Sequence, residues 1–198
     1  MYVKQETINT IVIEKSKFIT YLKPVKSEEE YKEYLKEIKK KHYDATHVCS
    51  ALVLKDIKRS SDDGEPSGTA GVPMLNVLTK KGIENTCALT VRYFGGIKLG
   101  AGGLIRAYGN SVSEALDKAT LLIDENYNKH QIILSYELAN KVDNFLFNNT
   151  LKLEKEYDEQ VTINYVLKDD ALNNKIIEFT RGIEPTLIGK EIIQKVVK

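Results

Sequence analysis

Two loops in the first half of the chain carry residue types that could do chemistry. The first has three carboxylates within four positions, followed by hydroxyl side chains and glycines; its residues are Asp62, Asp63, Gly64, Glu65, Ser67, Gly68 and Thr69. Carboxylates this close together can hold a cation or bind an arginine, while hydroxyls and amides at a helix start can hold an anion. The structural alternative is a turn-rich surface loop whose hydroxyls cap a helix.

The second loop combines glycines with positively charged and aromatic side chains. Its candidate residues are Arg92, Tyr93, Phe94, Gly95, Gly96, Lys98, Gly100, Gly102, Gly103 and Arg106. A predicted strand precedes it and a predicted helix follows, so free backbone N–H groups and the positive helix end would meet at one place and favour an anion. The spacing matches neither the GxxxxGK[ST] phosphate loop nor the GxGxxG dinucleotide motif. A loop that needs glycine only for tight packing is the alternative.

Other chemistry-bearing residues give weaker signals. His47 and Cys49 alternate on a predicted strand and would face the same side, where an imidazole and a thiol could bind a metal or form a nucleophile and base. A zinc site needs three or four ligands, and no other cluster of His or Cys exists, so we expect no metal and assign no catalytic residue. Tyr93 and Phe94 are the aromatic residues best placed to stack on the bases of a single-stranded nucleic acid.

Hydrophobic periodicity predicts the elements that position these loops. In the first half the order is ββαβαβα, with strands over 8–15, 17–25, 46–54 and 86–93, and helices starting at a Ser27 cap, over 73–81 and over 103–118. The first two strands are expected to join at Ser16. Ten of the twelve glycines fall between Gly64 and Gly109, which separates this half from the rest.

The second half is predicted to follow the order βαββαβ, which is that of the ferredoxin-like fold. Ile132, Leu134, Tyr136 and Leu138 alternate as a strand, and a helix is expected to end near 148–149. A hairpin over 151–157 and 161–167, a helix capped by Asp169 or Asp170, and a strand over 186–197 complete the order. A linker near 124–129 predicts two domains, 1–125 and 126–198.

Composition excludes several classes of protein. With 42% hydrophobic and 29% charged residues, the chain of 198 residues can bury a core, which argues against disorder. Its apolar runs are far shorter than the ~20 residues of a membrane helix, and it begins without a signal-like segment. Two cysteines in apolar stretches suit a reducing compartment, so we expect a cytoplasmic protein that does not engage membranes. The formal net charge of +1 argues against a DNA-coating protein.

The long motifs of the first half resemble the IMPACT family. The resemblance is carried by Ser16-Lys17-Phe18, by His47-x-Cys49-x-Ala51, by Asp62 to Gly71 with Pro73, and by Arg92 to Tyr108. It covers about residues 1–120, and the two-domain length is similar to that of a bacterial branch of the family. His47 and Lys17 are accessory candidates on this basis.

The resemblance implies an α+β protein. Its first domain would belong to the left-handed βαβ superfamily that also contains the GHMP kinases and one elongation factor G domain, and a ferredoxin-like βαββαβ domain would follow. Eukaryotic relatives regulate translation through protein contacts, and nucleic-acid or ribosome binding has been suggested for bacterial members from their fold.

We therefore expect a binding protein linked to translation rather than an enzyme, without a cofactor, which engages RNA or the ribosome through the basic glycine-rich loop. One alternative is an enzyme acting on a phosphorylated or anionic small molecule, with Asp63 or Glu65 as base or metal ligand. The other is a protein-interaction module for regulatory proteins of translation. For the expected role, Arg92 and Arg106 must face the loop rather than be neutralised by carboxylates.

Overall fold

The computed structural model describes residues Met1–Lys198 and has an α+β fold. The chain forms two compact units, one of Met1–Ile123 with Val196–Lys198 and one of Asp124–Lys195. The last three residues, which the sequence assigned to the second domain, thus belong to the first unit. None of the helices combines the length and apolar character needed to cross a membrane.

The first unit begins with a short strand and a hairpin. Strand β1 is Tyr2–Val3, and β2 (Thr7–Ile13) pairs antiparallel with β3 (Ser16–Pro24). The turn is Glu14-Lys15, both with positive φ (45° and 63°), which is typical of a tight two-residue hairpin turn. The prediction of a turn at Ser16 was therefore wrong, because two consecutive residues without glycine or asparagine give no turn signal.

The remaining elements of the first unit confirm the predicted order and add one strand. They are α1 (Glu28–Lys41), β4 (His47–Val53), β5 (Lys58–Ser61), α2 (Gly71–Lys80), β6 (Thr86–Tyr93) and α3 (Gly100–Lys118). Ser27 caps α1 as predicted, by accepting a hydrogen bond from the Glu30 amide at 3.2 Å. The sequence missed β5, whose four residues are all exposed and carry no apolar alternation.

Three layers result from the pairing of these strands. The sheet has the order β2-β3-β6-β4-β5 with antiparallel neighbours, so β3 and β4 run parallel to each other on either side of β6. Tyr34 and Ile38 of α1 pack on one face, and α2 and α3 pack on the other. Central strand β6 is buried on both faces, and its odd and even residues serve different cores.

The second unit has the element order βαββαβ, starting within β7 (Leu121–Leu134). The elements that follow are α4 (Tyr136–Asn149), β8 (Thr150–Tyr157), β9 (Val161–Leu167), a 3-10 turn (Asp170–Leu172), α5 (Asn173–Phe179) and β10 (Thr186–Val196). Strand β7 pairs with β9 and β10, and β9 pairs with β8, which gives the order β10-β7-β9-β8. Residues of α4 and α5, among them Val142 and Ile176, bury one face of this sheet.

Two predictions for the second half were wrong. Tyr136 and Leu138 belong to α4 rather than to a strand, because Ser135 caps the helix by accepting from the Leu138 amide. Residues 124–129, expected as a linker, lie within β7. These residues are polar because their side chains are exposed or half-buried along a strand, and not because they form a loop.

Candidate functional site

The acidic loop between β5 and α2 is held by its own carboxylates. Asp62 accepts hydrogen bonds from the backbone amides of Gly68 (2.7 Å), Ala70 (3.0 Å) and Gly71 (2.8 Å) at the start of α2. Burial opposes ionisation of this carboxyl, but the three amides outweigh it and lower the pKa of Asp62. Asp62 thus fixes the loop and caps the start of α2, and it is not a free cation ligand.

Asp63 fastens the same loop to neighbouring elements. Its carboxylate accepts from Lys39 Nζ at 2.6 Å and from the Val48 amide at 2.7 Å, while its carbonyl lies 2.8 Å from His47 Nδ1. No group of three or more His, Cys, Asp or Glu residues that could hold a metal ion exists in the structure. Both oxygens of Asp63 are already engaged by these donors, which argues against Asp63 as a base or metal ligand.

Glu65 connects the acidic loop to the basic one. Its Oε1 accepts from Arg92 Nη1 at 2.6 Å and from the Tyr108 hydroxyl at 2.8 Å, and both charged residues are more than nine-tenths buried. Arg92 also contacts Ser16 Oγ at 3.4 Å. The requirement that Arg92 be free to bind an anion is not met, because this guanidinium is neutralised by a buried carboxylate.

Cys49 and His47 do not form a nucleophile and base. The Cys49 thiol lies within hydrogen-bond distance of the Asp62 carbonyl (3.0 Å) and the Tyr108 hydroxyl (3.3 Å), and burial raises its pKa to about 12. Burial also raises the pKa of the Tyr108 hydroxyl strongly. Because the thiolate is the nucleophilic form, this cysteine is inert at neutral pH.

The remaining polar residues of the acidic loop differ in exposure. Thr69 is buried and its hydroxyl donates to the Pro66 carbonyl at 2.6 Å, whereas Ser67 is exposed. Gly64 and Gly68 have positive φ values of 88° and 75°, which shape the two turns of the loop. Ser67 is therefore the hydroxyl that remains accessible.

The basic loop packs tightly at its first glycine. A Cβ at Gly95 would overlap the backbone of Lys15 and Ser16, so the loop lies directly on the β2–β3 turn. The Gly95 amide donates to Ser16 Oγ at 3.2 Å. Close packing explains Gly95, but nothing lies within 4 Å of an added Cβ at Gly96, which is exposed with a φ of 86°.

The two aromatic candidates have different environments. The Tyr93 hydroxyl is bonded to His42 Nδ1 at 2.8 Å and donates to Asp44 at 3.2 Å, which fixes its ring. Phe94 is 47% exposed, and its ring centroid lies 5.5 Å from the Arg92 guanidinium. Phe94 is therefore the ring that can stack on a ligand.

Helix α3 begins at Gly100, three residues before the predicted start, and no side chain caps it. Gly100 has a φ of 68°, and Gly102 and Gly103 lie in the first turn. Lys98 and Arg106 flank this end and, like Lys17 on β3, they are exposed and form no ion pair. Lys98 and Arg106, unlike Arg92, are therefore accessible to an anion, and Lys17 stays an accessory candidate.

A pocket of about 290 Å³ lies between the two loops. The acidic loop contributes Glu65 and Pro66. Strand β4 contributes His47, and Thr46 immediately precedes this strand. The basic loop and α3 contribute the remaining lining residues, Arg92, Phe94, Lys98, Leu99, Gly100, Ala101 and Leu104. The structure thus brings together the acidic loop, the basic loop and the His47 strand, which the sequence had treated as separate candidates.

Sequence reasoning missed two partners in this network. Tyr108 was assigned to the apolar face of its helix, and it is fully buried, but its hydroxyl joins Cys49 to Glu65. Ser16 accepts hydrogen bonds from both Arg92 and Gly95. The sequence did contain a signal for Tyr108. A tyrosine on the apolar face of a helix must still find a hydrogen-bond partner for its hydroxyl.

Comparison with known proteins identifies similar chains over most of this length. The family model described as the Impact N-terminal domain matches residues 14–116. The chain is 44% identical over 187 residues to the IMPACT family member YvyE of Bacillus subtilis (strain 168), covering 91% of this chain and 86% of that protein. It is 35% identical over 179 residues to the IMPACT family member YigZ of Escherichia coli (strain K12), covering 86% and 88%.

One solved structure is similar to this chain over nearly its whole length. A crystal structure described only as that of a hypothetical protein matches with a TM-score of 0.59 and 30% identity, over 95% of this chain and 96% of that one. The two-domain translational regulator Yih1 matches with a TM-score of 0.39 and 24% identity, over 58% and 47%, which is too low to support any inference.

Proposed function

The chain belongs to the IMPACT family, and from this premise we propose that it is a non-catalytic binding protein linked to translation, which engages RNA or the ribosome through its basic loop. The binding surface is formed by Phe94, Lys98 and Arg106 around the start of α3, together with Lys17 of β3, which lies opposite Tyr93 in the sheet. We call these four residues the basic loop surface. The observation that carries the proposal is that its three cations are exposed and unpaired, and that two of them, Lys98 and Arg106, lie beside an uncapped helix start.

The state of the buried groups supports binding over catalysis. The carboxylates of Asp62 and Asp63 are engaged by backbone amides and Lys39, and one Glu65 oxygen is engaged by Arg92 and Tyr108. The thiol of Cys49 has a pKa near 12. A reaction would need an activated nucleophile or base, whereas an RNA backbone needs only accessible positive charge and a stacking ring.

We also propose the finer fold assignments that the sequence suggested. The parallel strands β3 and β4, joined through α1 with β6 between them, suit the left-handed βαβ superfamily of GHMP kinases and an elongation factor G domain. The order β10-β7-β9-β8 suits a ferredoxin-like second domain. Elongation factor G contains both kinds of domain, which favours a partner in translation.

Binding to a short single-stranded RNA, measured over a range of salt concentrations, tests the proposal. We expect the double variant Lys98→Ala/Arg106→Ala to bind at least tenfold more weakly at low salt. Its slope of log K against log salt should be shallower by about 1.4, since each phosphate contact to a single strand contributes about 0.7. Cosedimentation with ribosomes should weaken in parallel.

The matched control is Lys55→Ala/Lys80→Ala, which removes the same charge at exposed sites. Lys55 follows the end of β4 remote from His47, and Lys80 ends the helix whose start carries the acidic loop. The control should bind as the unchanged protein does. Binding that is independent of salt and survives nuclease treatment would contradict the proposal and favour a protein-interaction module.

A further inference from the structure

The pocket between the two loops contains two polar atoms, His47 Nε2 and Glu65 Oε2, that face each other at 3.8 Å without a hydrogen bond. His47 Nδ1 must carry a proton, because its partner is the Asp63 carbonyl oxygen, which can only accept. In the neutral ring, Nε2 is then an acceptor, and it lies 3.8 Å from Glu65 Oε2. The other oxygen of Glu65 takes the bonds from both Arg92 and Tyr108.

This arrangement points to a ligand that supplies hydrogens. The Glu65 side chain is only 3% exposed, and both of its hydrogen-bond donors bind Oε1, so a donor supplied by a ligand would stabilise Oε2. Two acceptors 3.8 Å apart are beyond hydrogen-bond distance of each other, so each needs its own donor. Two neighbouring hydroxyl groups, such as those of a vicinal diol, supply one donor to each.

The part of the pocket lined by the start of α3 favours an anion. Gly100 and Ala101 line it at the uncapped start of α3, and Lys98 adds an exposed ammonium group. The negative charge of Glu65 is offset by Arg92 at 2.6 Å, so the pocket as a whole does not repel a phosphate.

We propose that this pocket binds a ribonucleoside 5′-phosphate, either as a free nucleotide or as the 3′-terminal residue of an RNA strand. The 2′,3′-diol bonds to His47 and Glu65, the phosphate lies at the start of α3 with Lys98, and the base stacks on Phe94. The volume of about 290 Å³ is at the lower end of small-molecule sites, which suits one sugar and phosphate with the base at the exposed ring. This inference rests on the proposed function and adds recognition of the ribose.

Titration of the whole protein with adenosine 5′-monophosphate, followed by NMR, tests the diol directly. We expect 2′,3′-dideoxyadenosine 5′-monophosphate to bind at least tenfold more weakly, and inorganic phosphate to compete with both. Equal dissociation constants for the two nucleotides would overturn the inference. So would the absence of binding by either nucleotide, if the 3′ end of an RNA also has no effect on RNA affinity.

Two substitutions at His47 separate a ligand contact from a structural role. The Asn side chain places its amide nitrogen where Nδ1 lies, so His47→Asn keeps the bond to the Asp63 carbonyl and removes the acceptor Nε2. The Gln side chain places an oxygen near the position of Nε2, so His47→Gln keeps the acceptor. We expect His47→Asn to lose about tenfold in affinity for the monophosphate without affecting the dideoxy compound, and His47→Gln to stay within about threefold. The opposite order would contradict the assignment.

The RNA arm distinguishes the two sources and the two proposals. A short RNA with a free 3′-diol is compared with the same RNA carrying a 3′-phosphate. If the blocked RNA binds more weakly, the ligand is the 3′ end of an RNA. If both RNAs bind equally but the nucleotides are distinguished by their diol, the ligand is a free nucleotide. Either result supports the inference. Salt-dependent RNA binding without any diol selectivity overturns the inference and leaves the proposed function intact.

Discussion

At the scale of single residues, the buried Glu65–Arg92 pair joins the two loops around the pocket. Taking both charges out of water is unfavourable, and the pair is stable because Tyr108 and Ser16 add hydrogen bonds to it. Its main consequence is therefore positional. The pair fixes the walls of the pocket and leaves Lys98 and Arg106 as the accessible cations.

Removing one member of this pair should be strongly destabilising. We expect Arg92→Met to lower the free energy of unfolding by about 3–5 kcal/mol, because Glu65 would remain buried without a partner. The double variant Arg92→Met/Glu65→Gln should recover much of this loss, since Tyr108 can still donate to the amide oxygen. Urea denaturation measures both, and a loss below about 1 kcal/mol for the single variant would show that the pair does not hold the loops.

The sequence identified most residues of the site but not their roles. Asp62 and Asp63 were considered as ligands of a cation or partners of an arginine, with a structural loop as the alternative. The sequence could not decide between these, because carboxylate spacing does not reveal which backbone amides will surround a loop. Arg92 was predicted to bind an anion, because 27 residues separate it from the carboxylate that neutralises it. Lys98 is exposed because it lies in a loop where no strand or helix buries it.

At the scale of elements, periodicity predicted most helices and strands because each buries one face or both. It failed where burial gives no pattern, as in the exposed strand β5. It also failed where a capping residue overrides an apparent alternation, as at Ser135 before α4. The turn of the first hairpin was misplaced by one or two residues, which is the usual uncertainty of element boundaries.

The contact between the basic loop and the β2–β3 turn leads to a prediction for glycine. Gly95→Ala would place a methyl group into the backbone of Lys15, so one of the two elements must move. We expect a loss of roughly 1–3 kcal/mol in the free energy of unfolding, as for other overpacked sites. Thermal unfolding and RNA affinity measure the effect on the fold and on the basic loop surface.

Gly102→Ala is the matched control for this variant. Its added methyl group would lie 3.6 Å from Arg106 Nη1, an ordinary contact with the end of a flexible side chain. Alanine also favours helix over glycine by up to about 1 kcal/mol. The control should therefore be as stable as the unchanged protein or more so, and equal destabilisation by both substitutions would refute the packing explanation.

At the scale of the whole molecule, the first unit is built from two separate parts of the chain. The Leu121 amide donates to the Lys198 carbonyl at 2.8 Å, and the Val197 amide donates to the Leu121 carbonyl at 2.9 Å. Lys198 Nζ also pairs with Asp117 at 3.2 Å. The sequence could not predict that the end of the chain packs on the first unit. A change to polar composition does not reveal which distant strand a segment pairs with.

Deleting residues 196–198 should destabilise the first unit selectively. Two backbone hydrogen bonds are lost, and at about 0.5–1.5 kcal/mol each we expect a decrease of about 1–3 kcal/mol. Hydrogen exchange at the Leu121 amide should accelerate, while that of Ile163 in the second unit should not change. The control Lys198→Met keeps the backbone bonds, so its Leu121 amide should exchange slowly. Rapid exchange of this amide in both the deletion variant and the control would contradict the explanation.

The return of residues 196–198 to the first unit has a consequence for synthesis on the ribosome. The 75 residues that follow Ile123 must be translated before that unit can form its last backbone contacts. At elongation rates of roughly 5–20 residues per second, this interval lasts about 4–15 s. A nascent chain therefore exposes an incompletely closed amino-terminal unit for seconds, during which the Leu121 backbone is open to other strands and to chaperones.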